Sequence, residues 1–280
     1  MTNTLIAIKN IVDSQGGIAS TAGVSVNRMN SQGEGLEMYV KDSFCGTINV
    51  LDRIEKDRIF AEKFSYIGNQ NNPPDVMIKE GDAIEVKKLN AVNSMLALNS
   101  SYPKDRLYSD SPMITRGCRE CEQWSEKDML YVVGTVAKDT VKSLWFVYGD
   151  CYAAEREVYE RIKSKFISGL REIPDIELAE TNELGRVNRV DPLGITNLRI
   201  RGMWGIENPN KVFGDIVQKN TGDFILNVLM KKEKWESFPK SNREALISMI
   251  DSNFSITDTT IPSPNNPAKM MEVVYISYNR

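Results

Sequence analysis

The sequence predicts a single α/β or α+β domain built on a central mixed β-sheet. Segments with apolar residues at helical spacing alternate with short apolar segments that are typical of strands. The 280 residues are 41% hydrophobic and 26% charged, which is enough apolar material for a sizeable core and argues against global disorder. No internal repeat, low-complexity tract or linker divides the chain. We therefore expect one domain over residues 1–280.

The first predicted helices lie near the N-terminus. Residues 1–13 and 34–44 carry apolar side chains at helical spacing, and Gly46 is a stop signal after the second segment. Residues 18–33 are rich in Ser, Thr, Asn and Gly, which predicts a loop. Residues 50–63 fit a helix, a strand or part of each.

The clearest helical pattern covers residues 151–170. Five apolar residues recur there every four positions: Ala154, Val158, Ile162, Phe166 and Leu170. Further helices are predicted over residues 90–98, 211–232 and 242–250. Such helices would cover the faces of the sheet.

Strand patterns alternate with these helices. Four segments are apolar enough to be strands, or to contain one: residues 131–136, 143–148, 185–202 and 271–278. Lys138 and Asp139 between the first two of these segments predict a hairpin. Residues 99–112 and 255–267 are polar and contain prolines, so we expect loops.

The most informative segment is residues 72–88, in which two apolar strands are separated by a turn signal at Gly81. Pairing of the strands would bring Asp75 close to Glu85 and Lys87. Side chains alternate along a strand, so Glu85 and Lys87 share one face. Two carboxylates and one ammonium at one point suit a hard metal ion, an attacking water and a phosphodiester. A solvated hairpin with surface charges is the alternative.

The composition excludes several classes of enzyme. The chain has no histidine, so Ser-His-Asp triads, Cys-His dyads and His-based metal sites cannot form. Acid–base chemistry would have to come from Asp, Glu, Lys, Tyr, Cys or metal-bound water. The net charge of -3 does not point to a nucleic acid, but a local basic face can still bind one.

The remaining composition signals concern location and cysteines. No segment has the pattern of a signal peptide or a membrane span, so we expect a cytoplasmic protein without a membrane partner. Four cysteines are too few for a disulfide framework. Cys118 and Cys121 form a lone CxxC, and zinc would need further ligands from Cys45, Cys151 or carboxylates. Reduced thiols without a cofactor are the simpler interpretation.

Glu37 lies in the helical segment that precedes the carboxylate motif. A helical carboxylate there could complete a metal site, as a third ligand or as a ligand of a second metal. Glu34 competes for the same role from one turn away. An exposed helical side chain is the alternative for both.

Two polar segments carry candidate nucleic-acid contacts. The loop at residues 99–104 contains Ser100, Ser101 and Lys104, whose groups suit phosphate and base-edge contacts. A later cluster contains Arg186, Asn188, Arg189, Asn197, Arg199 and Arg201. Arginine pairs with guanine and asparagine with adenine in the major groove, and either can hold phosphate. An ordinary solvated surface is the alternative for both segments.

Longer sequence blocks accompany these motifs: GEGLE at residues 33–37, NPPD at 72–75, GDAIEVKK at 81–88, LALNSSYPK at 96–104, CRECE at 118–122, VDPLGIT at 190–196 and RGMWGIENP at 201–209. They resemble those of the NgoPII-type family of type II restriction endonucleases, in the PD-(D/E)XK nuclease superfamily. The resemblance implies a restriction-endonuclease-like mixed sheet flanked by helices. The catalytic core would cover about residues 30–170, and DNA-recognition elements would lie at about 99–125 and 183–211.

The resemblance also implies an activity. We expect Mg²⁺-dependent hydrolysis of double-stranded DNA at a short palindromic site, GGCC being the site of similar enzymes, with 5′-phosphate ends. A homodimer and a companion DNA methyltransferase acting on the same site are the expected partners, in a bacterial or archaeal cytoplasm. A repair or structure-specific nuclease of the same fold, and a DNA-binding module with an inactive site, remain open.

The resemblance assigns roles to individual residues. Asp75, Glu85 and Lys87 take the catalytic roles, and Glu37 is the helical carboxylate. Mg²⁺ would be held by Asp75, Glu85 and Glu37, with the Val86 carbonyl as a further candidate ligand. The expected DNA contacts are Arg199, Arg201, Lys104, Asn188, Arg186, Ser100 and Ser101.

Overall fold

Short helices and strands alternate along the chain. The computed structural model describes residues 1–15, 28–69, 72–89, 94–137, 140–217 and 222–280, with the backbone alone for residues 28–33. The helices are α1 (Thr4–Asp13), α2 (Arg28–Cys45), α3 (Arg53–Lys63), α4 (Arg116–Glu120), α5 (Gly149–Tyr152), α6 (Arg156–Arg171), α7 (Pro209–Val212), α8 (Lys232–Ser237) and α9 (Lys240–Ile247). The strands are β1 (Phe64–Asn69), β2 (Asn72–Ile78), β3 (Ala83–Leu89), β4 (Leu96–Asn99), β5 (Arg106–Tyr108), β6 (Glu126–Ala137), β7 (Thr140–Tyr148), β8 (Glu177–Leu178), β9 (Gly185–Asn188), β10 (Leu198–Ile200), β11 (Trp204–Ile206), β12 (Ile225–Lys231), β13 (Phe254–Ser263) and β14 (Asn266–Asn279).

The described residues form one large mixed sheet and two small ones. In the large sheet the strands lie in the order β1-β2-β3-β6-β7-β12-β14-β13, and β5 pairs with β6. The β3–β6 and β7–β12 pairs are parallel, and the other neighbours are antiparallel. The small sheets are β10-β9-β8 and β11-β4. The predicted mixed sheet flanked by helices is therefore confirmed.

Polar side chains determine where several helices begin. The side chains of Asn3, Asp52 and Thr115 accept hydrogen bonds from backbone N–H groups in the first turns of α1, α3 and α4, at 3.1, 2.9 and 3.0 Å. Each bond satisfies a donor that has no partner within its helix. The starts of these helices are thus encoded locally.

The core lies on both faces of the central strands. Leu130 and Val132 on one face of β6, and Tyr131 and Val133 on the other, are all buried, so the central strands are covered on both sides. Helix α2 packs against β3 and β6, and α1 packs against α2 and α9. Trp145 donates its Nε1 hydrogen to Asn210 Oδ1 at 2.7 Å, so its buried polar atom is satisfied.

A buried polar network joins the N-terminal helix to the sheet. Asp82, at the start of β3, accepts hydrogen bonds from the Tyr148 hydroxyl and from Lys234 Nζ, each at 2.6 Å. Lys234 Nζ also lies 2.6 Å from Asp128 Oδ2, and Thr4 Oγ1 lies 2.7 Å from the Tyr148 hydroxyl. Burial and the neighbouring Asp82 carboxylate raise the pKa of Tyr148. The network therefore connects α1, β3, β6, β7 and α8.

Several local predictions are confirmed. Helices occur where residues 1–13, 34–44 and 242–250 predicted them, and α3 settles the ambiguous residues 50–63 as a helix from Arg53 onward. Strands β6 and β7 pair antiparallel, as the hairpin prediction required, although its turn at Lys138 and Asp139 lies outside the described residues.

Other local predictions are wrong. Residues 225–231 form a strand where a helix over 211–232 was predicted, because a short, continuous apolar run fits a buried strand as well as a helix. Residues 96–98 belong to β4 and are not helical, while residues 90–93 lie outside the described part. The backbone of residues 28–33 is helical, and the rest of the predicted loop, residues 18–27, also lies outside that part.

The C-terminal loop prediction is wrong, and the helix predicted over residues 151–170 is confirmed only from Arg156 onward. Residues 255–267 lie mostly in the β13–β14 hairpin, and Pro262 is tolerated there because β13 is an edge strand. The segment at residues 151–170 is divided into α5 and α6 by an extended stretch that begins at Ala153.

Within the described residues, no helix is long and apolar enough to cross a membrane.

Replacing Asp82 with alanine should lower the free energy of unfolding by about 3 kcal/mol, because Lys234 and Tyr148 lose a buried partner. Urea denaturation of the full chain would measure the loss. The control is Asp13→Ala, which removes an exposed ion pair with Lys9 and should change the stability little. Equal losses in the two variants would show that the buried network does not hold the fold.

Candidate active site

Strands β2 and β3 bring the predicted catalytic residues together. The two strands pair antiparallel through Val76 and Ile84, which places Asp75 beside Glu85. Asp75 Oδ2 accepts a hydrogen bond from the Val86 backbone N–H at 2.6 Å. The Asp75 side chain therefore takes the place of a backbone acceptor just beyond the last paired residues of β2 and β3. This hydrogen bond fixes the carboxylate in place.

Glu85 and Lys87 lie on one face of β3, as the alternation of side chains predicted. Lys87 Nζ donates to Glu85 Oε1 at 2.6 Å. The other oxygen, Glu85 Oε2, is buried and has no hydrogen-bond partner among the described residues. An unpaired buried carboxylate oxygen is costly, so this atom indicates a position for a ligand with positive charge.

The electrostatics of the site support the same conclusion. Burial and, next, the Glu85 carboxylate raise the pKa of Asp75 to about 8. Burial alone would lower the pKa of Lys87, but the Glu85 and Asp75 carboxylates outweigh it, and the pKa is raised. Two carboxylates thus repel each other and only Glu85 is paired with the ammonium, which is an arrangement that a further cation would relieve.

Glu37 lies at the margin of this group. Its carboxylate contributes to raising the pKa of both Asp75 and Lys87, and it is half-buried in α2. Lys41 Nζ lies 3.0 Å from Glu37 Oε1, one turn along the same helix. Glu34 is exposed. The structure therefore brings Glu37, rather than Glu34, towards the carboxylate pair.

The donor set fits a hard divalent cation only in part. Among the described residues, no three Asp, Glu or Cys side chains are arranged as a complete metal site. Asp75 and Glu85 could supply oxygen ligands, and Glu85 Oε2 has no hydrogen-bond partner among the described residues. A full coordination shell would need the Val86 carbonyl, water or phosphate oxygens, which is usual for Mg²⁺.

Lys104 is buried near Glu85 and Lys87. Its Nζ donates to the Ser101 hydroxyl and to the Tyr102 carbonyl oxygen, the latter at 3.2 Å, and its backbone N–H donates to the Tyr131 hydroxyl at 2.7 Å. Burial lowers the pKa of Lys104 to about 8, although the nearby Glu85 carboxylate acts in the opposite direction. The side chain is only 5% exposed, so it lies behind the cleft wall.

Close backbone approach fixes the segment that carries Lys104. A Cβ atom at Gly149 would lie 2.3 Å from the Lys104 carbonyl oxygen, so only glycine fits there. Tyr102 stacks on Tyr159 of α6 at 5.3 Å between ring centroids, and Trp204 meets both rings edge-on. These contacts join the loop at residues 99–105 to α6 and β11.

A cleft of about 700 Å³ unites the carboxylate motif with the second group of predicted residues. Its lining includes Asp75, Glu85, Lys87, Ser100, Ser101, Arg199 and Arg201. Arg186 and Asn188 do not line this cleft. Arg186 is exposed on β9 opposite Arg199, and Asn188 is half-buried, with an unpaired buried Oδ1.

Sequence analysis missed Glu183, which also lines the cleft. Its carboxylate accepts hydrogen bonds from Arg199 Nε at 2.5 Å, from Arg199 Nη2 at 3.0 Å and from Arg201 Nε at 2.6 Å. These bonds hold the pKa of Glu183 below its usual range. The available signal was an acidic residue directly before an arginine-rich strand pair.

The cysteines lie apart from the cleft. Cys118 Sγ contacts Met77 Sδ at 3.3 Å, and Cys121 Sγ donates to the Cys118 carbonyl oxygen at 3.1 Å. All four cysteines are free thiols, and Cys45 and Cys151 lie in other elements. The structure thus gives the CxxC a local packing role and brings no further ligands to it within the described residues.

A mixed sheet that presents two carboxylates and a lysine in a cleft lined by arginines is typical of a nuclease. The NgoPII restriction endonuclease family model matches residues 2–262. The type II restriction enzyme NgoPII of Neisseria gonorrhoeae is 46% identical over 279 residues, which cover 96% of this chain and 99% of that protein. No solved structure matches the chain.

The chain belongs to the NgoPII restriction endonuclease family. It is therefore a type II restriction endonuclease, which is a site-specific deoxyribonuclease that acts on double-stranded DNA. Membership of this class indicates a divalent metal cation as the cofactor. The family match extends beyond the sequence blocks at residues 30–210 and includes the N-terminal helix α1, strand β12 and most of β13.

Replacing Lys104 with methionine should increase the free energy of unfolding more at pH 7 than at pH 9.5. A lysine whose folded pKa is near 8 and whose unfolded pKa is 10.5 carries its burial penalty fully below pH 8 and loses it as the pH rises. The stability difference between variant and parent should therefore fall by about 2 kcal/mol between these two pH values. Urea denaturation at both pH values measures it, and a difference independent of pH would contradict the lowered pKa.

Proposed function

We propose that this restriction endonuclease uses Mg²⁺ to hydrolyse phosphodiester bonds within a short palindromic DNA site and leaves 5′-phosphate ends. The observation that carries the proposal is the contact between Glu85 and Lys87 beside the fixed Asp75 carboxylate, at the floor of a cleft that arginines also line. GGCC, which the family resemblance implies, is the first candidate site.

Asp75, Glu85 and the Val86 carbonyl would hold the cation, with Glu37 available from α2. When bound, Mg²⁺ lowers the pKa of a water and neutralises charge on the scissile phosphate. The chain's own contribution is positioning. Val86 holds Asp75 through its backbone N–H, and Glu85 holds the Lys87 ammonium at the cleft.

Lys87 acts on the attacking water and on the phosphate. Its ammonium, held by Glu85 Oε1, would orient the water in line with the scissile bond. The same positive charge would stabilise the negative charge that develops on the phosphate oxygens during attack. The attacking oxygen stays on the phosphorus and the 3′ oxygen leaves, so the products are a 5′ phosphate and a 3′ hydroxyl.

The DNA would lie along the wall of the cleft that faces the carboxylates. Arg199 and Arg201 are the first candidates for base or phosphate contacts, followed by Ser100 and Ser101. Arg186 and Asn188 would extend this surface beyond the cleft. Lys104 would act from behind the wall, through Ser101, because its ammonium is buried.

A homodimer would match the symmetry of a palindromic site, since each copy would cut one strand of the same sequence. An enzyme that cuts short DNA sites also needs host DNA to be protected, which supports a companion methyltransferase of the same specificity in the cytoplasm. A repair nuclease of the same fold, or an inactive DNA-binding module, would behave differently in the following experiment.

Digestion of a plasmid of known sequence with Mg²⁺ should give discrete fragments with identical termini, and EDTA should prevent it. Sequencing of the ends would give the site and the stagger together. Smearing or cutting selective for DNA structure would instead support a repair nuclease. The absence of cutting with Mg²⁺, Mn²⁺ and other divalent metals would support the inactive module.

Lys87→Ala and Asp75→Ala should each lower the cleavage rate by about a thousandfold or more, because the charges next to the scissile phosphate are lost. Specific DNA binding should remain, and a gel-shift assay with the cleaved sequence would measure it. Lys88→Ala is the matched control, since the neighbouring side chain points to the other face of β3 and should leave cleavage unchanged. Cleavage retained in Lys87→Ala would refute the assignment.

A further inference from the structure

A carboxylate that the arginine side chains largely cover holds the two arginines of the active-site cleft. Glu183 accepts three hydrogen bonds from Arg199 and Arg201, at 2.5, 3.0 and 2.6 Å. Its side chain is 9% exposed, whereas those of Arg199 and Arg201 are 63% and 57% exposed. The carboxylate therefore lies beneath the guanidinium groups, and the guanidinium groups face the solvent of the cleft.

The geometry leaves the outer edges of the arginines available. Arg199 presents its Nε and Nη2 atoms to Glu183, and Arg201 presents its Nε. Within the described part of the chain, Nη1 of both arginines has no hydrogen-bond partner. A guanidinium anchored along its inner edge can still donate two parallel hydrogen bonds from its outer edge, as guanine or phosphate recognition requires.

The charge balance points in the same direction. One carboxylate shared by two guanidinium groups leaves a net positive charge on this wall of the cleft. DNA can therefore approach the arginines without displacing Glu183. Because long arginine side chains otherwise sample many rotamers, the anchored orientation lowers the entropic cost of binding.

The segment that carries Glu183 is itself held from two sides. Lys163 of α6 donates to the Asn182 carbonyl oxygen at 3.1 Å, and Asn182 Nδ2 donates to the Pro112 carbonyl oxygen at 3.4 Å. The Glu183 backbone N–H donates to the Thr181 hydroxyl at 3.1 Å. Pro112 and Thr181 line the same cleft as Asp75, so Glu183 has a fixed place relative to the carboxylate motif.

We propose that Glu183 is a positioning residue for DNA selectivity, which orients Arg199 and Arg201 so that they bind the target DNA in the cleft. This inference rests on the proposed DNA contacts of the two arginines. Glu183 acts through these side chains and touches no reacting atom. Its loss should therefore change the binding and discrimination of DNA more than the chemical step.

The test measures kcat and KM of the full-length enzyme with Mg²⁺. The substrates are a duplex with the site found by plasmid digestion, and duplexes with each base pair of that site changed in turn. Glu183→Gln should raise KM by about tenfold and lower the preference for the correct site by about tenfold, while kcat changes less than about threefold. Glu183→Asp keeps the charge and should recover part of the selectivity.

Glu177→Gln is the matched control. Glu177 forms a longer ion pair with Arg189, at 3.7 Å on the same small sheet, and does not line the cleft. Its KM, kcat and selectivity should equal those of the parent. Thermal melting of each variant shows whether the fold is kept.

Arg199→Ala and Arg201→Ala separate the two proposals. If they raise KM and lower selectivity while Glu183→Gln behaves like the parent, the inference fails and the proposed DNA contacts remain. If the arginine variants change neither, the proposed contacts fail, and the inference with them. Glu183→Gln could also bind the correct and the altered sites more tightly than the parent does. That result would show that Glu183 competes with DNA for the arginines, and it would overturn the positioning role.

Discussion

The burial of two carboxylates beside a single lysine is the constraint on which the site depends. Asp75 and Glu85 are forced together by the pairing of β2 and β3. Burial, and next the Glu85 carboxylate, raise the pKa of Asp75 to about 8. Glu85 Oε2 remains without a partner in the described structure. Two such carboxylates stay together only if the surrounding fold holds them firmly, because charge repulsion and the cost of desolvation both favour moving them apart.

The fold supports β3 along its length and at its start. Along its length, β3 pairs in parallel with β6, from Ala83 opposite Met129 to Leu89 opposite Thr135. At its start, Asp82 is bound by Tyr148 and Lys234, three residues before Glu85. The fully satisfied network at Asp82 thus stabilises the same strand that carries the unsatisfied Glu85, and the strain of the site is offset by its immediate neighbours.

The sequence predicted those parts of the site and fold that depend on local spacing. The contact of Glu85 with Lys87 follows from alternation on one strand, and the amphipathic helices follow from their period. Strand β12 was missed because a continuous apolar run has no period that separates a buried strand from a helix. Glu183 was missed because its partners, Arg199 and Arg201, meet it only through the antiparallel pairing of β9 with β10. Periodicity also cannot tell which side of α6 is covered: Val158, Ile162 and Phe166 are 44%, 42% and 61% exposed.

The net charge of -3 misrepresents what DNA would meet in the cleft. Two acidic side chains that line the cleft have little solvent exposure: Glu85 is 10% exposed, and Glu183 is 9% exposed. Their basic partners, Lys87, Arg199 and Arg201, are 22%, 63% and 57% exposed. Because exposed charge determines the local potential more than buried, paired charge does, the cleft can attract a polyanion although the whole chain is acidic. Carboxylates that are less exposed than the cations they hold therefore reconcile the composition of this chain with its class.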